Sequence, residues 1–374
     1  MTTTEKKNAG GLEGIVAGQT SVCTLEGRML YRGYTIEELA AQSNFEEVAY
    51  LLLYGELPKA AELAAFRARV GAEMSLPSAI VDTLRSIPKT TPGMDVMRTG
   101  CSMLAHFDPE TGDSSHDANL RKAERLLAKL PLVMTTKHRL DAGKQPVAAD
   151  PKKTIAANIL RQVTDAEPEA RATAALDQSM ILYAEHEFNA STFTARCVAS
   201  TLADLHSAIT AAIGALKGPL HGGANERVLE VLEQVGAPAG AEAWIRNALA
   251  NKVRIMGFGH RVYKHGDPRT KIITPLCGEM ASLTGNEAME QTAATIERII
   301  VADKGLPANV DWPSARLYHY LKLPVQLYTP LFVCARVTGW SAHVMEQLEN
   351  NRLIRPAAEY TGPTMRSFTP MGKR

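Results

Sequence analysis

Two histidines in this chain stand beside glycines in polar turns: His221 in "KGPLHGGANERV" and His260 in "MGFGHRVYKHGDPR". Glycine admits positive φ and lets a ligand come close to the backbone. Such turns also expose N–H groups that attract anions. An imidazole held this way is equipped to donate a hydrogen bond or move a proton at a small anionic ligand. A third polar turn, "LPANVDWPSAR", sets Asp311 between Val310 and Trp312. A carboxylate in an apolar setting is costly without partners. The same setting raises its pKa toward the range of a general base. The competing reading is capping, with Asp311 or Ser314 starting the helix "WPSARLYHYL" and Pro313 in its first turn. Both readings stand at this level.

Arginines complete the set. Arg269 ends "HGDPR", Arg336 interrupts the apolar helical text "FVCARVTGW", and Arg355 lies in "NRLIRPAAEY". An arginine in apolar text needs a carboxylate partner, either a side chain or a ligand, so this trio could bind a small dicarboxylate. His186, in "AEHEFNAST", lies between two helical segments. His106, His206, His319 and His343 sit in ordinary helical text and read as structural. Metal chemistry fits poorly: there is no H-E-x-x-H and no closely spaced His/Cys/Asp group. A Walker-type phosphate loop and a G-x-S-x-G nucleophile turn are also absent.

The elements that must position these residues are helices. "TIEELAAQ" begins with Thr35 and Glu38 in capping-box spacing, and "NFEEVAYLLLYGELP" runs from Asn44 to a terminal Gly55. "NERVLEVLEQVG" puts Val228, Leu229, Val231, Leu232 and Val235 on one stripe. Helices are also expected over 60–72, 95–106, 120–142, 154–163, 170–186, 190–216, 241–251, 270–283, 286–302 and 326–349. The segment 190–216 is rich in small residues that permit close helix approach, which suits a central buried helix, a subunit interface, or both. Strand text is confined to a short hairpin within "GIVAGQTSVCTLEGRMLYRGY". The fold class is all-α.

Composition narrows the partners. The chain has 374 residues, 45% hydrophobic and 22% charged, with a formal net charge of +1. That balance is ordinary for a globular protein and points away from nucleic acid or an anionic membrane. No apolar run reaches the length of a membrane span. The start, "MTTTEKKNAGG", has neither a signal-peptide core nor the arginines of a transit peptide, and reads as a frayed end. Cys23, Cys101, Cys197, Cys277 and Cys334 are an odd, scattered set, read as free thiols in a reducing cytoplasm.

The motifs "HEFNASTFTAR", "GPLHGGANE", "MGFGHRVYKHGDPR", "NVDWPSARLYH" and "RVTGWSAHVMEQLENNRLIRP" together resemble the citrate synthase family, in its order and spacing. The early text "GLEGIVAGQTSVCTLEGRMLYRGYTIEELA" and "DVMRTGCSMLAHFDPE" is similar too, so the likeness runs through nearly the whole chain. It embraces citrate synthase and its relative 2-methylcitrate synthase, in their compact prokaryotic form. The resemblance implies a helical two-domain fold. A large discontinuous domain would comprise 1–222 and 324–374, and a small domain 223–323. It implies condensation of acetyl-CoA with oxaloacetate, then hydrolysis of citryl-CoA, with no metal or redox cofactor. In those roles His221 would bond the thioester carbonyl, Asp311 would take the methyl proton, and His260 would polarise the ketone. His186, His260, Arg269 and Arg336 would bind oxaloacetate. Arg355 would come from the second subunit of a homodimer. Met256, Gly257, Phe258 and Gly259 would lie against the CoA adenine. Lys304 and Lys264 are the options for its phosphates, although each also reads as a surface lysine. Trp312 replaces a different aromatic in many relatives, which implies a reshaped acyl pocket.

Overall fold

The computed structural model describes residues 11–374 apart from 13, 261 and 265. Ten of the eleven residues of the expected frayed terminus, 1–10, lie outside the described residues. The described chain forms sixteen α-helices and one small sheet, an all-α architecture.

The expected hairpin is a three-stranded antiparallel sheet of Cys23–Thr24, Leu30–Tyr31 and Tyr34–Thr35. Tyr31 lies opposite both Cys23 and Tyr34. Its buried hydroxyl donates to the Glu185 carbonyl at 2.9 Å, so the sheet anchors the backbone just before His186. The helix Ile36–Gln42 follows, capped by Thr35 Oγ1, which accepts from Glu38 N at 3.2 Å. Asn44 caps the helix Phe45–Tyr54 in the same way, and Gly55 ends it at φ 91°.

The centre of the molecule is the helix Tyr328–Glu349, buried along almost its whole length. Its apolar residues face every direction, as a core helix requires. It packs against the helices His116–Asp141, Ala190–Ala199, Phe45–Tyr54 and Leu205–Leu216. A second group consists of the helices Ala224–Val235, Pro238–Ala250, Pro268–Thr284, Glu287–Lys304 and Asp311–Tyr320, which pack mainly on one another. The helix Ala170–Tyr183 touches both Pro268–Thr284 and Asp311–Tyr320. It is therefore one strut between the two groups, joined by the contacts of Ile36–Gln42 with Pro268–Thr284 and of Tyr328–Glu349 with Ala224–Val235.

Three expectations need correction. The segment 190–216 is two helices, because Leu202 takes φ 68° and Asp204 caps a new helix through Ser207 N at 2.9 Å. The Asp204–Ser207 spacing was the available signal, masked by uninterrupted small residues. The helix expected over 170–186 ends at Tyr183, since Glu187 adopts φ 52° and Asn189 caps the next helix through Thr192 N at 3.1 Å. That early stop frees Glu185 and His186 to leave the helical course. A helix Ser78–Ser86 was not anticipated; it buries only Ile80 and Leu84, too thin a stripe to register.

Candidate active site

His221 sits in the turn between the helices Leu205–Leu216 and Ala224–Val235. Gly222 is required beside it, because a Cβ there would lie 2.4 Å from the Leu216 carbonyl oxygen. The Ser191 N–H donates to His221 Nε2 at 3.3 Å, and Ser191 Oγ lies 2.9 Å from the same nitrogen. An accepting Nε2 leaves the proton of a neutral imidazole on Nδ1. The ring is neutral at physiological pH: burial, aided by the Arg336 charge, pushes its pKa down to about 4. Ser191 is itself held by Asn189 Oδ1 at 2.7 Å and by Trp340 Nε1 at 3.1 Å. Its role was not legible in the sequence, where Ser191 reads only as part of a helix start.

Asp311 is the first residue of its helix, and its carboxylate caps no helix N–H. The base-or-cap ambiguity therefore resolves against capping by Asp311. Its Oδ1 accepts from the Tyr183 hydroxyl at 2.9 Å, and Ser314 Oγ lies 2.6 Å from that hydroxyl. Tyr183 has one proton to give, so Ser314 must donate to Tyr183 while Tyr183 donates to Asp311. Burial raises the Asp311 pKa to about 6, against the lowering effects of Tyr183 and Arg269. Phe332 lies edge-on both to Tyr183, at 4.7 Å, and to His221, at 6.4 Å. Nothing in the sequence singled out Tyr183 or Phe332, which come from separate helices.

The other histidines form a second face. His260 Nδ1 accepts from the backbone N–H groups of Val262 at 3.0 Å and Tyr263 at 3.2 Å. Its free proton is thus on Nε2, and burial with the nearby Arg269 charge lowers its pKa to about 4. The His186 ring lies 5.3 Å from His260 and 5.5 Å from Tyr263. Burial and the charges of Arg269 and Arg336 keep His186 neutral, well below its ordinary pKa. Arg336 is buried, donates through Nε to the Tyr183 carbonyl at 2.6 Å, and lies over Phe332 at 4.7 Å. His186 Nε2, Tyr263 Oη and Arg336 Nη1 are buried without a hydrogen-bond partner among the described residues. Unpaired buried polar groups each cost about 1–3 kcal/mol. Three in one site are groups ready for an anionic, hydrogen-bonding ligand.

The turn Met256–Gly259 pairs with 307–309: Gly259 N donates to the Pro307 carbonyl at 2.8 Å and Asn309 N to the Gly257 carbonyl at 2.9 Å. Trp312, the residue expected to reshape the acyl pocket, packs inward. Its indole is fully buried, 4.6 Å from Phe258 and directly beneath Gly257, so it backs the turn. Lys304 is exposed at the end of its helix, close in sequence to this pairing, and Lys264 is exposed as well. Arg355 is exposed on an extended C-terminal segment and forms no ion pair among the described residues. The fold of one chain does not bring it to the other candidate residues.

A family model described as citrate synthase, C-terminal domain, matches residues 11–357. The chain is 43% identical to a 2-methylcitrate synthase of Shewanella oneidensis over the full length of both proteins. It is 43% identical to citrate synthase 2 of Bacillus subtilis, covering 97% of this chain and 98% of that one. The chain belongs to the citrate synthase family. Among solved structures, the citrate synthase of Thermotoga maritima is 36% identical with a TM-score of 0.86, covering 97% of this chain and 98% of that one. The Thermoplasma acidophilum citrate synthase, solved as a ternary complex with carboxymethyl coenzyme A and oxaloacetate, is 31% identical with a TM-score of 0.92 over 97% and 98% of the two chains.

Members of the citrate synthase family are condensing acyltransferases, and this chain is one of them. Among its described residues no group of three or more His, Cys, Asp or Glu side chains is arranged to hold a metal ion. No helix among them is long and apolar enough to cross a membrane.

Proposed function

We propose that this enzyme condenses acetyl-CoA with oxaloacetate and hydrolyses the resulting citryl-CoA to citrate and CoA. The observation that carries the reading is the pairing of one tuned carboxylate with two neutral histidines. Asp311, with a pKa raised to about 6, is ionised at neutral pH yet basic enough to abstract a methyl proton. His221, neutral and with its proton on Nδ1, donates to the thioester oxygen as enolate charge develops. His260, with its proton on Nε2, polarises the ketone and supplies a proton to the new alkoxide. His186, Arg269 and Arg336 hold oxaloacetate, and the unpaired Arg336 Nη1 supplies a donor to one of its carboxylates. No step needs a metal or redox cofactor.

On this reading residues 223–323 form a small domain that closes on the large domain, 1–222 with 324–374, about His221. Closure excludes water from the enol. The packing of the second helix group mainly on itself supports the division. Met256, Gly257, Phe258 and Gly259 lie against the CoA adenine, with Lys304 near its phosphates. Arg355 enters the site of a second subunit in a homodimer. The five free cysteines suit a reducing cytoplasm.

A second reading, 2-methylcitrate synthase using propionyl-CoA, is favoured by the names of close relatives, among them a Corynebacterium glutamicum 2-methylcitrate synthase 45% identical over 100% of this chain and 99% of its own length. The chemistry is the same and only the acyl group differs. Thiol release with oxaloacetate, measured with acetyl-CoA and then propionyl-CoA, decides: the larger kcat/KM identifies the substrate. No release with either refutes both readings and leaves a catalytically silent binding protein.

A further inference from the structure

Asp267 is fully buried and its carboxylate makes four hydrogen bonds among the described residues. Oδ1 accepts from Arg269 N at 3.1 Å and Arg269 Nε at 2.9 Å. Oδ2 accepts from Arg269 Nη2 at 2.7 Å and from Val310 N at 3.1 Å. One carboxylate thus grips an edge of the Arg269 guanidinium and also the backbone amide immediately before Asp311. The two turns it joins lie 43 residues apart in the chain. Burial alone would raise the pKa of Asp267, but the charge and hydrogen bonds of Arg269 outweigh it and hold the group below the usual carboxylate range. It is therefore ionised whenever the enzyme works.

We infer that Asp267 is a positioning residue that couples the dicarboxylate-binding Arg269 to the base Asp311, so that one rigid unit presents both. The inference rests on the function proposed above. Two physical consequences follow. With Nε and Nη2 engaged by Asp267, the Arg269 fork has a set orientation and its remaining N–H groups are left for the ligand. With the Val310 amide held by the same carboxylate, a shift of Arg269 on ligand binding is transmitted to the turn that carries Asp311. Asp267 also acts on the base through space. Among the described residues, the charged and hydrogen-bonding groups that bear on Asp311 are Tyr183 from the helix Ala170–Tyr183, and Asp267 and Arg269 from the start of Pro268–Thr284; of these, only Asp267 opposes its ionisation.

Asp267→Asn tests the coupling, because the amide keeps the shape and loses the charge and one acceptor. KM for oxaloacetate is expected to rise about tenfold or more, the scale of a lost charge-assisted contact. The acid limb of the kcat profile is expected to move to lower pH, because Asp311 ionises more readily without a negative neighbour. A residue that served only folding would lower the melting temperature and leave both the limb and the oxaloacetate KM of the folded enzyme unchanged, and that result overturns the inference. Asp267→Glu keeps the charge but displaces it by a methylene; it should raise KM while leaving the acid limb in place, and it serves if Asp267→Asn does not fold. Wild-type turnover and calorimetric oxaloacetate binding are measured alongside. Their absence overturns the proposed function and this inference together, whereas a normal wild type with unchanged variants overturns the inference alone.

Discussion

The Tyr183 hydroxyl donates to Asp311 Oδ1 at 2.9 Å, and the Tyr183 backbone carbonyl accepts from Arg336 Nε at 2.6 Å. One residue at the end of one helix therefore contacts both the proposed base and a proposed substrate arginine. Tyr183→Phe removes the bond to the base and leaves the carbonyl in place. The bond stabilises the ionised carboxylate, so its loss should raise the Asp311 pKa above about 6. Asp311 must be ionised to act, so the acid limb of the kcat profile should shift upward and turnover at pH 6 should fall more than at pH 8. An unshifted limb would show that Tyr183 does not tune the base.

Asp311→Asn keeps the size of the side chain and removes the basic oxygen. Condensation should fall by about 10² or more, the scale of a positioned acid or base. The melting curve should change little, because the carboxylate has one side-chain hydrogen bond to lose. Near-full turnover in the purified variant would falsify the assignment of Asp311 as the base.

Gly257 sits at φ 88°, and a Cβ there would lie 2.9 Å from Val228 and 3.1 Å from Trp312. Gly257→Ala combines a left-handed backbone with a close approach to a buried indole. The expected cost is about 1–3 kcal/mol of stability, read as a lower melting temperature. Because the Met256–Gly259 turn is proposed to meet the CoA adenine, KM for the acyl-CoA should rise while KM for oxaloacetate changes little. Equal effects on both substrates would separate this turn from CoA binding.

Arg355 is exposed on its own chain, six residues past the helix Tyr328–Glu349, near the start of a segment with no regular structure before residue 371. If it serves the neighbouring subunit, Arg355→Ala and Asp311→Asn should complement each other after subunit exchange. One site of each heterodimer then carries both defects and the other carries neither, so activity returns to a fraction of wild type. Heterodimers that form without any return of activity would assign Arg355 to its own subunit. The loss in Arg355→Ala alone should appear mainly in KM for oxaloacetate.

Much of this protein was legible in its residues because local chemistry dictates it. Thr35, Asn44 and Gly55 start and stop helices through bonds within four residues, and the stripe of Val228, Leu229 and Leu232 buries one face whatever its partner is. The glycines beside His221 and His260 announced turns: Gly222 leaves no room for a Cβ, and Gly259 takes positive φ. Arg336, awkward in apolar text, is indeed buried beside a group of unpaired donors. What the residues could not disclose was which distant groups meet. Asp311 read equally as a cap or a base; the fold removes it from the cap and sets Tyr183, 128 residues earlier, on its carboxylate. Trp312 read as a residue that reshapes the acyl pocket, and the packed helices set its indole in the core beneath Gly257. Ser191, Phe332 and Asp267 carry no local signature, since a serine, a phenylalanine and an aspartate are common at such positions. Their significance comes from three-dimensional neighbours, and the pKa values of His221, His260 and Asp311 come from burial that only packed helices create. Periodicity and capping act over a few residues; desolvation and hydrogen bonding between elements are properties of the assembled fold.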